Sequence, residues 1–463
     1  MSTQPSTDSI AAVGAGPAGS AEANSAAWPP PSQAWYAVGV FAVVLMLNFL
    51  DRGILTLLVE PIKKDLDLSD QQIGLLIGFA FVVFYALLGL PIARLVDSKS
   101  RRLIVGIGVA TWSLATATCG LARSFAQLFI ARVGVGIGEA CNGPATFSMM
   151  ADLFPPRLLP RAIAVLNLGF VAGTGIALVI GGTVIHFLST TERVLPLIGT
   201  VKPWQLTFMI VGIPGVLIAL LLATVKEPLR RGRLGTLAAR ERKALPVRDV
   251  AHFIRENGRT YLPMFIGLAF NSVLSFGNQT WIPTFFVRTF GWSAAEAGIT
   301  NGIIICCTAP IGLFVGSSLA EWFAKKGYAD ANLRVVLISM LIHIPGYVIA
   351  PLVTDPHLAM ALVGFNFMVG MLCPGPQNAA LQIITPNEMR GQITALFLFI
   401  FNFIGYGLGP SFVALLTDQV FGEANLRYSL SVGSGVIGPL AALTIWWGLK
   451  PYGESVRRAR AFA

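Results

Sequence analysis

Four charged residues stand inside otherwise apolar stretches. Asp51-Arg52 lies between VGVFAVVLMLNFL and GILTLLV, and Arg132 and Glu139 lie within FAQLFIARVGVGIGEA. An ionisable side chain at bilayer depth costs on the order of 2.5–3.5 kcal/mol on insertion scales, so it persists where it faces a partner or a water-filled pathway. Two acids and two guanidiniums offer proton uptake at Asp51 and Glu139. Arg52 and Arg132 are then charge partners or contacts for an anionic headgroup. The set is net neutral, so protonating either acid leaves a positive excess that rearrangement or substrate charge must match. The competing reading is a static set of buried ion pairs that fixes helix packing. It is a weak stabiliser, because desolvation offsets the attraction.

The elements that must hold these residues follow from hydropathy. Charged residues make up 12% of the chain and hydrophobic ones 54%, against about 25% charged in a soluble domain. Apolar runs long enough to cross a bilayer fall at 35–59, 71–96, 102–121, 126–149, 161–188, 204–225, 261–287, 295–324, 334–353, 357–384, 391–420 and 427–449. The fold class expected is therefore an all-α membrane protein of twelve transmembrane helices in two pseudo-symmetric six-helix bundles. The organisation expected is a disordered cytoplasmic tail over 1–34, an N-terminal bundle over 35–225, a basic linker over 226–259 able to form interfacial helices, a C-terminal bundle over 260–449 and a tail over 450–463. Most Lys and Arg fall in the loops that share a side with both termini, which by the positive-inside rule is cytoplasmic. An inner (plasma) membrane protein is expected. The net charge of +10 follows from this topology, and no basic patch interleaved with aromatics points to nucleic acid.

Depth along the helices can be compared at about 1.5 Å per residue. Asp51 lies ~10 Å from the outer end of helix 1 and Arg132 ~9 Å from the outer end of helix 4, with Glu139 two turns deeper on the same face. Ala131, Gly134 and Gly138 form a small-residue stripe that suits close helix packing. Helices 7 to 12 carry no acid near their centres. They offer Asn271, Asn278, Gln279, Trp281, Asn366, Gln377, Asn378, Asn402 and Tyr406, which suit a ligand with a polar end and an apolar body or else bond helix to helix. His343 reads as a packing residue. The five cysteines read as small buried core residues; no metal-ligand set and no cofactor motif is present.

The halves echo each other. Gly143-Pro144, Pro155 and Arg161-Ala162 recur as Gly375-Pro376, Pro386 and Arg390-Gly391. Such repeats, with a site near the midplane between them, mark rocking transporters. The chain resembles the major facilitator superfamily through Arg132-x-x-x-Gly136-x-Gly138 and Ala93-x-x-x-Asp97-x-x-x-Arg101-Arg102. In the second motif Ala93 and Ser100 stand where Gly is usual, and Ser98 where Arg is usual. The helix 5 antiporter pattern is partial, with Gly173, Gly175 and Gly181-Gly182. Asn48-Phe-Leu-Asp51-Arg52, Gly136-Ile-Gly-Glu139-Ala140 and Ala151-Asp152-Leu-Phe154 resemble the Spinster family of lysolipid and sphingolipid transporters, here in a bacterial form. The resemblance implies alternating access. Asp97, with Arg101 and Arg102, would then gate by contact near Asn387–Gly391 in the outward-open form. The function expected is a monomeric, proton-coupled transporter of an amphipathic lipid, working among membrane lipids. The rivals are a proton-driven exporter of hydrophobic drugs or organic cations and a non-transporting receptor or scaffold. An enzyme is not expected, since no catalytic constellation sits at membrane depth.

Overall fold

The computed structural model describes residues 28–155, 157–188, 193–195, 199–230, 246–386 and 388–461. The first half holds α1 (Pro31–Leu57), α2 (Val59–Leu66), α3 (Asp70–Ile77), α4 (Phe79–Ser98), α5 (Arg101–Cys119), α6 (Phe125–Glu139), α7 (Asn142–Leu153), α8 (Leu159–Leu188) and α9 (Pro203–Leu222). The second holds α10 (Val247–Glu256), α11 (Gly258–Phe290), α12 (Ala294–Lys325), α13 (Ala331–Ile349), α14 (Pro356–Gly370), α15 (Pro374–Ile384), α16 (Arg390–Leu416) and α17 (Leu426–Ala461). Twelve passes result, because α3 and α4, α6 and α7, and α14 and α15 each form one broken pass, while α2 and α10 are short helices outside them. Among the described residues ten spans are long and apolar enough to cross a membrane. The pass built from α6 and α7 carries Arg132, Glu139 and Asp152, and α8 keeps its apolar run over Gly173–Leu188.

Local chemistry sets the ends and the breaks. Ser69 caps α3 in a reciprocal box with Gln72, and Ser100, Ser124, Ser293 and Asp355 cap α5, α6, α12 and α14, each satisfying an orphan N–H. The fourth and tenth passes break just before the repeated Gly-Pro pairs. Pro lacks an N–H and is best accommodated in the first turn of a helix, and Pro144 and Pro376 each fall in the first turn of the new segment. Gly138 abuts Trp112 and Gly134 abuts Ala115, as the small-residue stripe implies.

The two halves meet mainly at the end opposite the chain termini. There α8 packs on α12, and α3 and α4 pack on α16. A Cβ on Gly302 would lie 2.5 Å from the Gly175 carbonyl, and one on Gly78 would lie 2.4 Å from that of Tyr406; only glycine permits these approaches. One apolar core, with Leu58, Ile73, Trp204, Trp281, Phe286 and Val413, is shared by both halves at this far end. At the terminal end the cores are separate. One holds Phe41, Trp112, Met150 and Phe154, with Phe403 and Tyr406 packed against it from the second half. The other holds Tyr261, Leu333, Phe397 and Tyr452.

Several boundaries differ from the sequence reading. α1 begins at Pro31, inside the stretch assigned to the tail, while residues 1–27 lie outside the described residues. The last helix does not stop at 449, because Tyr452 and Val456 are buried in the second core and Thr260 bonds Ser455 at 2.9 Å. In the linker, 231–245 lie outside the described residues, and α10 packs Val250 into the second core and Phe253 on Tyr261. Among the described residues, a two-stranded antiparallel pair, β1 (Arg193–Leu195) with β2 (Gly199–Val201), is the one departure from helical regular structure, which the all-α reading did not expect. The cysteines are not uniformly buried: Cys119 and Cys373 are, while Cys307 is exposed.

Candidate functional site

Asp51 and Arg52 are neighbours on α1, so their side chains leave the helix about 100° apart and cannot share a partner. Arg52 reaches the end of α6. Its Nε and Nη2 donate to Glu139 Oε2 at 2.9 and 2.7 Å, while Glu139 Oε1 has no hydrogen-bond partner. The Arg52 guanidinium is boxed by rings, 4.4 Å from the centre of Phe81, 5.6 Å from Phe49 and Tyr85, and 5.5 Å from Tyr406. Tyr406 belongs to α16, so this cage joins the halves. It is held by a stack on Phe276 at 3.7 Å.

Asp51 is buried and faces the other way, beside Thr116 of α5, within the field of Glu139, Arg132 and Arg52. Arg132 is buried too. Its Nε donates to the Leu76 carbonyl at 3.5 Å, the limit of a hydrogen bond, and it makes no ion pair within 4 Å among the described residues. Depth matching expected Asp51 and Arg132 as neighbours, whereas the direct contact among the four is Arg52 with Glu139, because the Arg52 guanidinium spans from α1 to the end of α6. Between Asp51 and Arg132 only the longer-range attraction acts.

A second charge cluster joins the halves at the far end, and the sequence reading missed it. Arg288, at the end of α11, donates from Nη1 and Nη2 to Asp70 at 2.7 and 2.8 Å and from Nε to Glu60 at 2.7 Å. Lys63 pairs with Asp70 at 2.5 Å and with Glu423 at 2.8 Å. Asp418 accepts the backbone N–H groups of Asp70 at 3.3 Å and Gln71 at 2.7 Å, so a carboxylate of the second half caps a helix of the first, where the dipole favours it. All ion pairs between the halves among the described residues belong to this cluster. The signal in the sequence was weak: acids interleaved with Lys63 and Lys64 in an outer loop that the charge bias should keep poor in cations.

Of the residues expected to gate the terminal end, Arg101 and Arg102 bond within the first half and to the start of the linker. Arg101 is buried and binds Asp152, the Ser148 hydroxyl at 3.1 Å and the Pro228 carbonyl at 2.9 Å. Arg102 donates to the carbonyls of Ala223 at 3.0 Å and Val225 at 3.2 Å. Burial pushes the Glu227 carboxyl up. The Ser100 hydroxyl, the Arg101 N–H and the Arg101 guanidinium outweigh that and hold it below the usual carboxylate range. The side chain of Asp97, and Asn387 at its expected contact, lie outside the described residues.

Of the second-half candidates, Tyr406 alone is brought to the charge cluster. Asn278 donates to the Ser434 hydroxyl at 3.0 Å, Trp281 donates to the Pro410 carbonyl at 2.9 Å, and Asn271 Oδ1 accepts from His343 Nε2 at 3.1 Å. These are bonds inside the second bundle, and His343 is the packing residue expected. Asn402 bonds its own helix. Asn366 is fully buried with both amide atoms unpartnered, Gln377 is buried, Gln279 half-buried and Asn378 exposed.

The sequence profile of the Major Facilitator Superfamily matches residues 41–410. An MFS-type efflux pump of Mycolicibacterium smegmatis is 30% identical over 84% of this chain and 86% of its own length. A probable L-galactonate transporter of Escherichia coli is 25% identical over 82% and 81%. Among solved structures, a bacterial homologue of the human lysosomal transporter Spinster, in an inward-facing and unoccupied conformation, is 26% identical with a TM-score of 0.75, over 93% of this chain and 98% of that one.

Proposed function

We propose, from the premise that this chain belongs to the Major Facilitator Superfamily, that it is a proton-coupled secondary active transporter of amphipathic lipids, lysophospholipid- or sphingolipid-like, working by alternating access. The observation that carries this reading is the buried cluster in which Glu139 holds Arg52 against Tyr406 of the opposite half. A charged Glu139 fixes the guanidinium in its ring cage. A protonated one loses the charge-assisted bond and frees Arg52 to meet an anionic headgroup. Asp51, within the longer-range field of Arg132 and Glu139 and one helix face away from Arg52, is the second proton site. The four charges sum to zero, so each proton taken up leaves one positive charge for a phosphate to balance.

With both termini cytoplasmic, as the Lys/Arg bias implies, the far end is the outer face and the conformation is closed outward. The Arg288 cluster is then the outer gate. Asp97, Arg101 and Arg102 would serve the inner gate in the opposite state. Both bundles and the whole charge cluster come from one chain, which suits a monomer in the inner membrane. The lipid assignment leans on the Spinster-like motifs and on the likeness to the bacterial Spinster homologue. Reconstituted Asp51→Asn and Glu139→Gln proteins are expected to lose lysolipid uptake driven by a pH gradient. Full proton-dependent uptake by both would sink the reading.

A second reading, export of hydrophobic organic cations, is favoured by one feature. Phe81, Tyr85 and Tyr406 with a carboxylate form a cage that suits a cation, and Arg52 occupies it. Competition of lysolipid uptake by tetraphenylphosphonium separates the two.

A further inference from the structure

The terminal end of the second half carries a cavity of about 250 Å³ lined by Tyr328, Arg334, Lys450, Gly453 and Arg457, together with Asp330. We propose that it holds the phosphate headgroup of an anionic membrane phospholipid. Lys450 and Arg457 are two turns apart on one face of α17, with Gly453 between them. A Cβ on Gly453 would point to Asp330 across the opening at 3.7 Å, so the glycine leaves the floor of the cavity open. Neither Lys450 nor Arg457 has an ion-pair or hydrogen-bond partner among the described residues. Arg334 is fixed in place, paired with Asp330 at 2.8 Å and stacked on Tyr328 at 4.3 Å. Asp330 stands at the amino end of α13, yet its side chain caps no N–H there, so the first turn of that helix remains available to an anion. Three cations against one carboxylate leave the cavity positive.

The level of the cavity says what the anion belongs to. Trp446 and Trp447, one turn before Lys450, are 64% and 80% exposed on the outer surface of the bundle, and Trp322 is exposed beside Lys326 at 3.6 Å. Tryptophans in such a belt sit at the headgroup layer. A basic cavity between helices at that depth meets phosphodiester headgroups rather than free solutes. It lies wholly within the second bundle, so occupancy is independent of which way the halves are rocked. The site is separate from the Arg52 cage, and its failure would leave the transport reading untouched.

The test uses the full chain in detergent, with dihexanoyl phosphatidylglycerol, dihexanoyl phosphatidylcholine and inorganic phosphate as probes. Binding is read by native mass spectrometry and by the shift in melting temperature. Wild type is expected to bind the phosphatidylglycerol. The Lys450→Gln/Arg457→Gln protein is expected to bind it about 30-fold more weakly, at about 1 kcal/mol per surface cation. Gly453→Leu keeps the charge but fills the floor and is expected to weaken binding as well, so the proposal stays testable if the double variant does not fold. Arg157→Gln/Arg161→Gln, exposed cations of the first half, is expected to bind as wild type does. Equal loss in that control would mean diffuse electrostatics and overturn the site. Equal binding of phosphatidylcholine, or an equal effect of inorganic phosphate alone, would overturn the anionic-lipid assignment.

Discussion

Replacing Arg288 by alanine is expected to open the far end. Arg288 and Asp70 bury their charged groups, with side-chain exposures of 8% and 0%, and Glu60 adds a more exposed contact worth little by itself. Breaking a buried, hydrogen-bonded pair costs about 3–5 kcal/mol. Lys63 remains on Asp70, so the lower figure applies. The cost falls on the closed state alone, because water solvates Asp70 once the halves part. About 3 kcal/mol is a factor of roughly 100 in population, which takes a gate closed about 99:1 to near equality. Spin labels at Lys64→Cys and Ala424→Cys in a background without native cysteines, both at exposed positions across the gate, would report it by pulsed electron resonance. A long-distance population in Arg288→Ala, absent before, is the expected outcome. A distribution unchanged from the parent would refute the idea that this cluster holds the halves together.

Other outcomes follow from the same geometry. Tyr406→Ala removes the second-half wall of the Arg52 cage and should reduce uptake at least tenfold, whereas Tyr406→Phe keeps the ring and should retain most of it; equal loss in both would point to the hydroxyl instead. Gly302→Val places a side chain against the Gly175 carbonyl and should favour far-end opening in the same spin-label assay. Glu227→Gln should lower the melting temperature at neutral pH. The Glu227 carboxyl is held below its ordinary value of 4.5, so its stabilisation is fully present above that value and lost as the pH falls through the lower folded value. The difference between variant and wild type should therefore shrink below about pH 4.5, and a difference constant with pH would contradict the assignment.

The architecture was legible where one residue type dominates a long stretch. Apolar runs gave the passes, while the breaks in the fourth and tenth, beside the repeated Gly-Pro pairs, were not expected. The charged cluster was legible because ionised groups at bilayer depth are costly enough to need a reason. What pairs with what was not. Depth arithmetic resolves position along a helix but not azimuth, and one residue of azimuth separates Asp51 from Arg52. The far-end charge cluster was invisible because its partners are 218 residues apart and no periodicity links Asp70 to Arg288. Whether Asn278 and Trp281 would meet a ligand or bond helix to helix was left open for a related reason. A polar group inside a bundle is satisfied by whichever helix lies beside it, and sequence does not say which helix that is. The reach of α17 to Ala461 was hidden by the polar residues of its exposed face, while Tyr452 and Val456 pack inward.

The most direct test of proton-coupled lipid transport uses the wild-type protein in liposomes with a pH-sensitive dye in the lumen. Adding a lysophospholipid on one side, with no imposed pH gradient, should move protons across the membrane. The luminal pH should change in step with lipid uptake, and Glu139→Gln should show no such change. Lipid movement with a steady luminal pH, or a pH change of the same size in Glu139→Gln, would contradict the account.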